Sequence, residues 1–172
     1  MTMDTLTCAQ CAQCAREVAE IAYRLMRKDL LPNPHHQIMR KMVDKTLEKH
    51  PLIFHSIKKK VTESDDFFPI FIEMYGDGKM NWGRLVATFA ICCAVGTEEK
   101  AGALSKVLER FVKGDCNVVA NGAPNLAQWI LDNGGWDGFC LAFRPLVQKE
   151  KPTVWERVSF LLCRVHSVLN YF

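Results

Sequence analysis

The sequence predicts an all-α protein, and three observations support that prediction. Apolar residues recur at helical spacing through most of the chain, and long alternating runs of β-branched residues are missing. The middle of the chain holds an uncharged run, Leu85 to Val95, which is shorter than the ~20 residues that span a bilayer. A helix that is apolar all round must be enclosed, so we expect amphipathic helices packed around this one.

Four helices are predicted before the central one. The first runs from about Cys11 to Leu30, and the prolines of segment 31–34 end it. The second runs from His35 to about His50, and Pro51 starts a short third helix. Segment 64–66, Ser-Asp-Asp, can cap the fourth helix because short polar side chains accept hydrogen bonds from the first helical N–H groups.

The central helix, Trp82 to Val95, has a start and a stop signal. Asn81 is the expected N-cap, and Gly96 ends the helix. Segment 97–99, Thr-Glu-Glu, would cap the amphipathic helix that follows. Two short helices at 126–134 and 135–143 and a tail helix at about 153–172 complete the prediction.

Length and composition predict one globular domain, residues 1–172. The chain has 24% charged residues and a formal net charge of +3, which gives no electrostatic footprint for nucleic acid. The first residues are polar and lack the apolar core of a secretory signal. We therefore expect the eight cysteines to be thiols in a reducing compartment.

The spacing of Cys8, Cys11 and Cys14 raises the alternative of a metal or redox site. On a helix this spacing places the sulfurs along one flank. A tetrahedral zinc site needs a fourth ligand, and no second C-x-x-C or H-x-x-x-H motif supplies one. We expect a partly buried helix flank, with no bound metal and no cofactor.

Two motifs carry a resemblance to a known family. Residues 76–84, GDGKMNWGR, lead into the central helix, and residues 129–139, WILDNGGWDGF, follow after a further helix. Their order, spacing and helix context resemble the first and second homology motifs of the Bcl-2 family, the regulators of mitochondrial apoptosis. The resemblance implies a helical bundle with a central apolar helix hairpin and a hydrophobic surface groove. In that family the groove takes the amphipathic BH3 helix of another member.

The resemblance also implies which residues bind the BH3 helix. Arg84 would pair with the ligand's aspartate, Gly83 would let the ligand helix approach, and Asn81 would offer an amide at the same polar end. The apolar walls and floor would be Phe54, Ile57, Phe71, Tyr75, Val86, Ala87, Ile91 and Phe143. The alternative is that Arg84 bonds only neighbouring carbonyls and that each apolar position is an ordinary core residue.

The chain's own BH3-like segment, residues 35–50, bears on the direction of its function. Met39 and Asp44 keep the expected spacing, but His35 and Thr46 stand where apolar anchors are expected. A weak ligand face favours a pro-survival protein that receives BH3 helices. The alternative is a pro-apoptotic executioner of the Bax, Bak or Bok type on the same fold.

The resemblance implies partners, a location and no catalysis. Partners would be BH3 helices of executioners and of BH3-only proteins, in the cytoplasm and at the outer mitochondrial membrane surface. The five histidines fall in no nucleophile motif and no phosphate-binding glycine loop is present, so we expect no enzyme activity.

The tail helix contains charged residues, including Arg164 near its middle, which disfavour a bilayer-spanning helix. We expect this tail to lie on the membrane or to fold over the protein's own groove. The alternative is a chain that continues into a true anchor.

Overall fold

The computed structural model describes residues 3–61, 67–114, 125–148 and 162, and gives the side chains of these ranges except at 3–7 and 145–148. Within these ranges the regular structure is helical and contains no strand, which confirms the all-α prediction. The helices are α1 (Met3–Arg27), α2 (Pro34–Lys49), α3 (Pro51–Lys60), α4 (Phe67–Tyr75), α5 (Trp82–Val95), α6 (Ala101–Lys113), α7 (Leu126–Asp132) and α8 (Gly135–Gln148).

Helix α5 is the enclosed central helix that the apolar run predicts. Nearly all of its residues are buried, and α1, α2 and α3 pack against it. The side-chain oxygen of Asn81 accepts a hydrogen bond from the Arg84 N–H at 2.9 Å, which confirms the predicted N-cap. The Gly96 N–H donates to the Cys92 carbonyl at 2.7 Å, and the helix ends there as predicted.

Helices α1 and α6 form the most extensive helix pair in the described part of the chain, and α7 packs beside them. Both helices bury an apolar stripe and expose charged residues, because their apolar side chains recur at helical spacing. Gly114 ends α6 in the left-handed conformation, with φ of 78°. The buried residues of all eight helices form one contiguous hydrophobic core.

Some helix boundaries differ from the prediction. Helix α1 begins at Met3, earlier than predicted. It ends at Arg27 because Lys28 adopts a positive φ of 59° and the Asp29 N–H donates back to the Arg24 carbonyl. The guanidinium of Arg40 reinforces this turn by donating to the Asp29 carbonyl at 2.8 Å. Helix α8 continues to Gln148, past the predicted end at residue 143. Helix α6 begins at Ala101, although the Thr97 hydroxyl accepts from the Lys100 N–H as a cap.

Two predicted features lie mostly outside the described residues, namely the 64–66 cap and the tail helix. Leu162 is the one described residue of that tail; it is helical, fully buried, and part of the core. Among the helices that the structure describes, none is long and apolar enough to cross a membrane.

Candidate functional site

Arg84 lies in the first turn of α5, and its side chain folds back over the 76–79 turn that precedes the helix. Gly78 takes a positive φ of 71°, which lets the turn reverse the chain between α4 and α5. Only 7% of the Arg84 side chain is exposed. The chain therefore buries a permanent positive charge at the mouth of its most apolar helix, which requires compensating partners.

The partners of Arg84 are a carboxylate and two carbonyls. Nη1 donates to the Met74 carbonyl at 2.6 Å, to the Lys79 carbonyl at 2.8 Å and to Oδ1 of Asp77. Nη2 donates to Oδ2 of Asp77 at 2.6 Å. The Lys79 N–H also donates to Oδ1 of Asp77 at 3.0 Å. The carbonyl bonds agree with the sequence alternative for Arg84, and the bidentate Asp77 pair was not predicted.

One hydrogen-bond donor of Arg84 is left over. Nε is inaccessible to solvent, and no described residue accepts from it. A buried donor without an acceptor is destabilising, so native structures seldom retain one without a reason.

A second polar link passes from α5 to α4 behind the arginine. The Thr88 hydroxyl donates its one hydrogen to the Arg84 carbonyl at 2.9 Å and therefore accepts from the Tyr75 hydroxyl at 3.0 Å. Burial raises the pKa of Tyr75, so its phenol stays neutral in the core. Tyr75, which was predicted only as an apolar wall residue, is therefore both a core side chain and a hydrogen-bonding residue.

The predicted apolar wall residues are all buried. On α3, Phe54 is 5% exposed and Ile57 is fully buried. On α4, Phe71 and Tyr75 pack on Phe111 of α6, with ring centroids 5.0 and 5.4 Å apart. Sequence reasoning did not identify Phe111 as the residue that holds the α4 wall.

The predicted floor and end residues belong to the same core. Val86, Ala87 and Ile91 of α5 are buried, as is Gly83, and α3 packs against this helix. Phe143 of α8 is 2% exposed and contacts Phe139 at 4.8 Å between ring centroids. All of the predicted apolar groove side chains thus line one closed core, and a ligand helix could reach them only after neighbouring elements separate.

The second motif packs against the start of α5. Trp82 meets Trp129 and Phe139 edge to face, with centroids 4.7 and 5.7 Å apart, as expected for packing residues. Gly138 permits this arrangement, since a Cβ at that position would lie 1.9 Å from the Asn133 carbonyl oxygen. The first turn of α8 can therefore pack this closely against the end of α7 only with glycine at position 138.

A separate polar cavity of about 480 Å³ lies between α1, the start of α2 and the start of α8. His35 stacks on Trp136 with centroids 5.6 Å apart, and Trp136 donates its Nε1–H to Glu17 at 3.1 Å. His36 also lines the cavity; its Nδ1 is buried and has no described partner. Burial, with smaller contributions from His35 and the positive charge of Arg24, lowers the pKa of His36 to about 4.

The three cysteines of the first helix lie along its flank and differ in their exposure. Cys8 is exposed, while Cys11 and Cys14 are buried on the flank facing the core. Burial raises the pKa of Cys14 to about 12, which keeps the thiol protonated. In the described ranges, no group of three or more histidine, cysteine or acidic residues is arranged to hold a metal ion.

Comparisons with known proteins agree with the two motifs. The family model described as apoptosis regulator proteins of the Bcl-2 family matches residues 39–136. Apoptosis regulator R1 of Xenopus laevis is 30% identical over 130 residues, which cover 69% of this chain and 56% of R1. Apoptosis regulator BAX of Bos taurus is 30% identical over 99 residues, which cover 58% of this chain and 46% of BAX. The matched part thus spans about half the length of these curated relatives.

A solved structure shares the fold. The crystal structure of the zebrafish pro-survival protein NRZ in complex with the Bad BH3 superposes with a TM-score of 0.62 at 23% identity. The match covers 81% of this chain and 97% of that one.

Proposed function

Because this chain belongs to the Bcl-2 family of apoptosis regulators, we propose that it binds the BH3 helices of pro-apoptotic family members in a hydrophobic groove and thereby restrains mitochondrial apoptosis. One observation carries the proposal most strongly. A guanidinium is buried at the entrance of the central apolar helix, beside Asn81 and Gly83, to which the family resemblance assigns contact with a ligand helix. The fold shared with NRZ, which was solved with a BH3 helix, supports the same reading.

The proposed site divides the work between polar and apolar residues. Arg84 binds the ligand's aspartate, and Asn81 and Gly83 shape the polar end beside it. The ligand's apolar anchors enter between α3 and α4 over the floor of α5. The wall and floor residues are Phe54, Ile57, Phe71, Tyr75, Val86, Ala87, Ile91 and Phe143. Since these side chains are buried, the groove opens on binding, and part of the binding energy is used in that opening.

The pro-survival direction rests on α2. Its BH3-like face is turned into the core, where Met39, Met42 and Thr46 are buried and the Thr46 hydroxyl donates to the Met42 carbonyl. An executioner would have to expose this face and insert it into another copy. The similarity to BAX supports the executioner alternative. Permeabilisation of isolated mitochondria by the purified protein alone would favour that alternative.

We propose that the protein acts in the cytoplasm and at the outer mitochondrial membrane surface, as a binding protein that has no enzyme activity. Leu162, the one described residue of the predicted tail, is buried in the core.

Calorimetric titration with a panel of BH3 peptides tests the proposal. At least one executioner or BH3-only peptide should bind with submicromolar affinity. Arg84→Ala should weaken that binding by ~1.5–3 kcal/mol, the range for hydrogen bonds to a charged group. Arg27→Ala is the matched control, because it removes an arginine that is paired at the surface with Asp29 and Glu98. A folded protein that binds no peptide of a broad panel contradicts the proposed function.

A further inference from the structure

The unused edge of the Arg84 guanidinium is the feature that the proposed function leaves unexplained. A guanidinium carries five N–H groups arranged as flat pairs that match a carboxylate. The pair formed by Nη1 and Nη2 is already occupied by the two oxygens of Asp77. The neighbouring pair is formed by Nε–H and the second hydrogen of Nη2. No described residue accepts from Nε, and among the described residues Nη2 donates only to Asp77.

Asp77 is itself held in place. Its Oδ1 accepts the Lys79 N–H, so the carboxylate is part of the turn that precedes α5. The carbonyls of Met74 and Lys79 fix Nη1 from the same region. These contacts fix the plane of the guanidinium before any ligand arrives, and they leave the Nε edge as the one without an acceptor.

We propose that Asp77 is a positioning residue for ligand recognition, holding Arg84 by its Nη1–Nη2 edge so that the Nε–Nη2 edge receives the carboxylate of the ligand helix. Both carboxylates are then bound at once, on adjacent edges of one guanidinium. The ligand supplies the acceptor that the buried Nε–H lacks. This inference rests on the proposed function, since it specifies how the same site recognises the acidic residue of a BH3 helix.

A different physical outcome is available to the same residues. Asp77 and the ligand's carboxylate carry the same charge, and one could displace the other from Arg84. Displacement would make Asp77 a competitor, and its removal would then strengthen binding. Joint binding makes Asp77 a support, and its removal weakens binding. The two arrangements therefore predict opposite signs.

The experiment measures the affinity of a Bad BH3 peptide, and of the same peptide with its aspartate changed to asparagine, for the wild-type chain and for Asp77→Ala. We expect Asp77→Ala to weaken binding of the native peptide at least about fivefold and to change binding of the asparagine peptide less than about twofold. A general loss of folding would lower both affinities equally, so the ratio of the two effects isolates positioning.

Two further variants sharpen the comparison. Asp77→Asn keeps an oxygen for the Lys79 N–H and should fall between the wild type and Asp77→Ala for the native peptide. Asp29→Ala removes the exposed aspartate that pairs with Arg27 and should leave both affinities unchanged. Equal or tighter binding of the native peptide by Asp77→Ala overturns the role of Asp77 while groove binding stands. If the wild-type chain binds neither Bad peptide, the same comparison is made with the tightest binder of the BH3 panel. A panel without any binder overturns the proposed function, and this inference falls with it.

Discussion

At the scale of single residues, the chain buries two polar side chains in different surroundings. The guanidinium of Arg84 has Asp77 and two carbonyls as hydrogen-bond partners. His36 has no such compensation. It lies between His35, Trp136 and the α1 face that carries Glu17, Glu20 and Arg24, and its neutral form is favoured.

The lowered pKa of His36 predicts a pH-dependent stability. The pKa of about 4 in the folded chain lies below the ordinary histidine value of 6.5, so the unfolded chain binds this proton first as the pH falls. Stability from His36 is fully present above pH 6.5 and is lost as the pH falls towards 4. Because water reaches the cavity and screens part of the effect, we expect ~1–2 kcal/mol.

Urea unfolding at pH 8 and pH 5 measures this contribution. His36→Phe keeps an aromatic ring against Trp136 and removes the proton site, so its loss of stability between the two pH values should be smaller than that of the wild type. His55→Gln, at an exposed position of α3, is the control and should follow the wild type. Equal pH dependence of the wild type and His36→Phe would show that His36 does not titrate on unfolding.

At the scale of helices, the sequence predicted which helices are present better than it predicted where they end or which side chains pair between them. The central helix and its Asn81 cap follow from local chemistry, an apolar run preceded by a capping side chain. The end of α1 does not, because Lys28 takes a positive φ there and the turn is reinforced by Arg40 from another helix. Asp77 was missed as the partner of Arg84 for the same reason: its pairing is set by how the turn folds, which spacing alone does not reveal. Its opposite charge within the same motif was the available signal.

Helix α2 contains the BH3-like segment, which tests whether the protein is pro-survival or pro-apoptotic. A peptide of residues 35–50 should bind the grooves of pro-survival relatives weakly, because polar side chains stand at two anchor positions. Changing His35→Leu and Thr46→Ile in the peptide adds two apolar anchors and should strengthen its binding at least about tenfold, since burying even one such anchor gives a gain of that size. Fluorescence polarisation measures both peptides. The peptide with Asp44→Ala in addition is the control and should lose the gain. Submicromolar binding by the unchanged peptide would favour the executioner alternative.

At the scale of the whole molecule, the described helices share one hydrophobic core, and the predicted apolar binding residues are buried in it. The sequence could identify these residues by their resemblance but could not foresee their burial, since a groove residue and a core residue have the same composition. In the proposed binding mode, an element packed on α5, such as α3, has to move. The cavity between α1, α2 and α8 is already open and is one competing place for a ligand.

Hydrogen exchange measured by mass spectrometry, with and without a saturating BH3 peptide, tests the central claim most directly. If the ligand helix occupies the groove, the peptide should slow exchange in α3, α4 and the first turns of α5. Exchange at residues 10–20 of α1 and at the start of α8 should stay the same. Arg84→Ala, at the same peptide concentration, should show weaker protection. Slower exchange only at the residues around the α1 and α8 cavity would contradict binding in the groove beside Arg84. So would slower exchange that Arg84→Ala leaves unchanged.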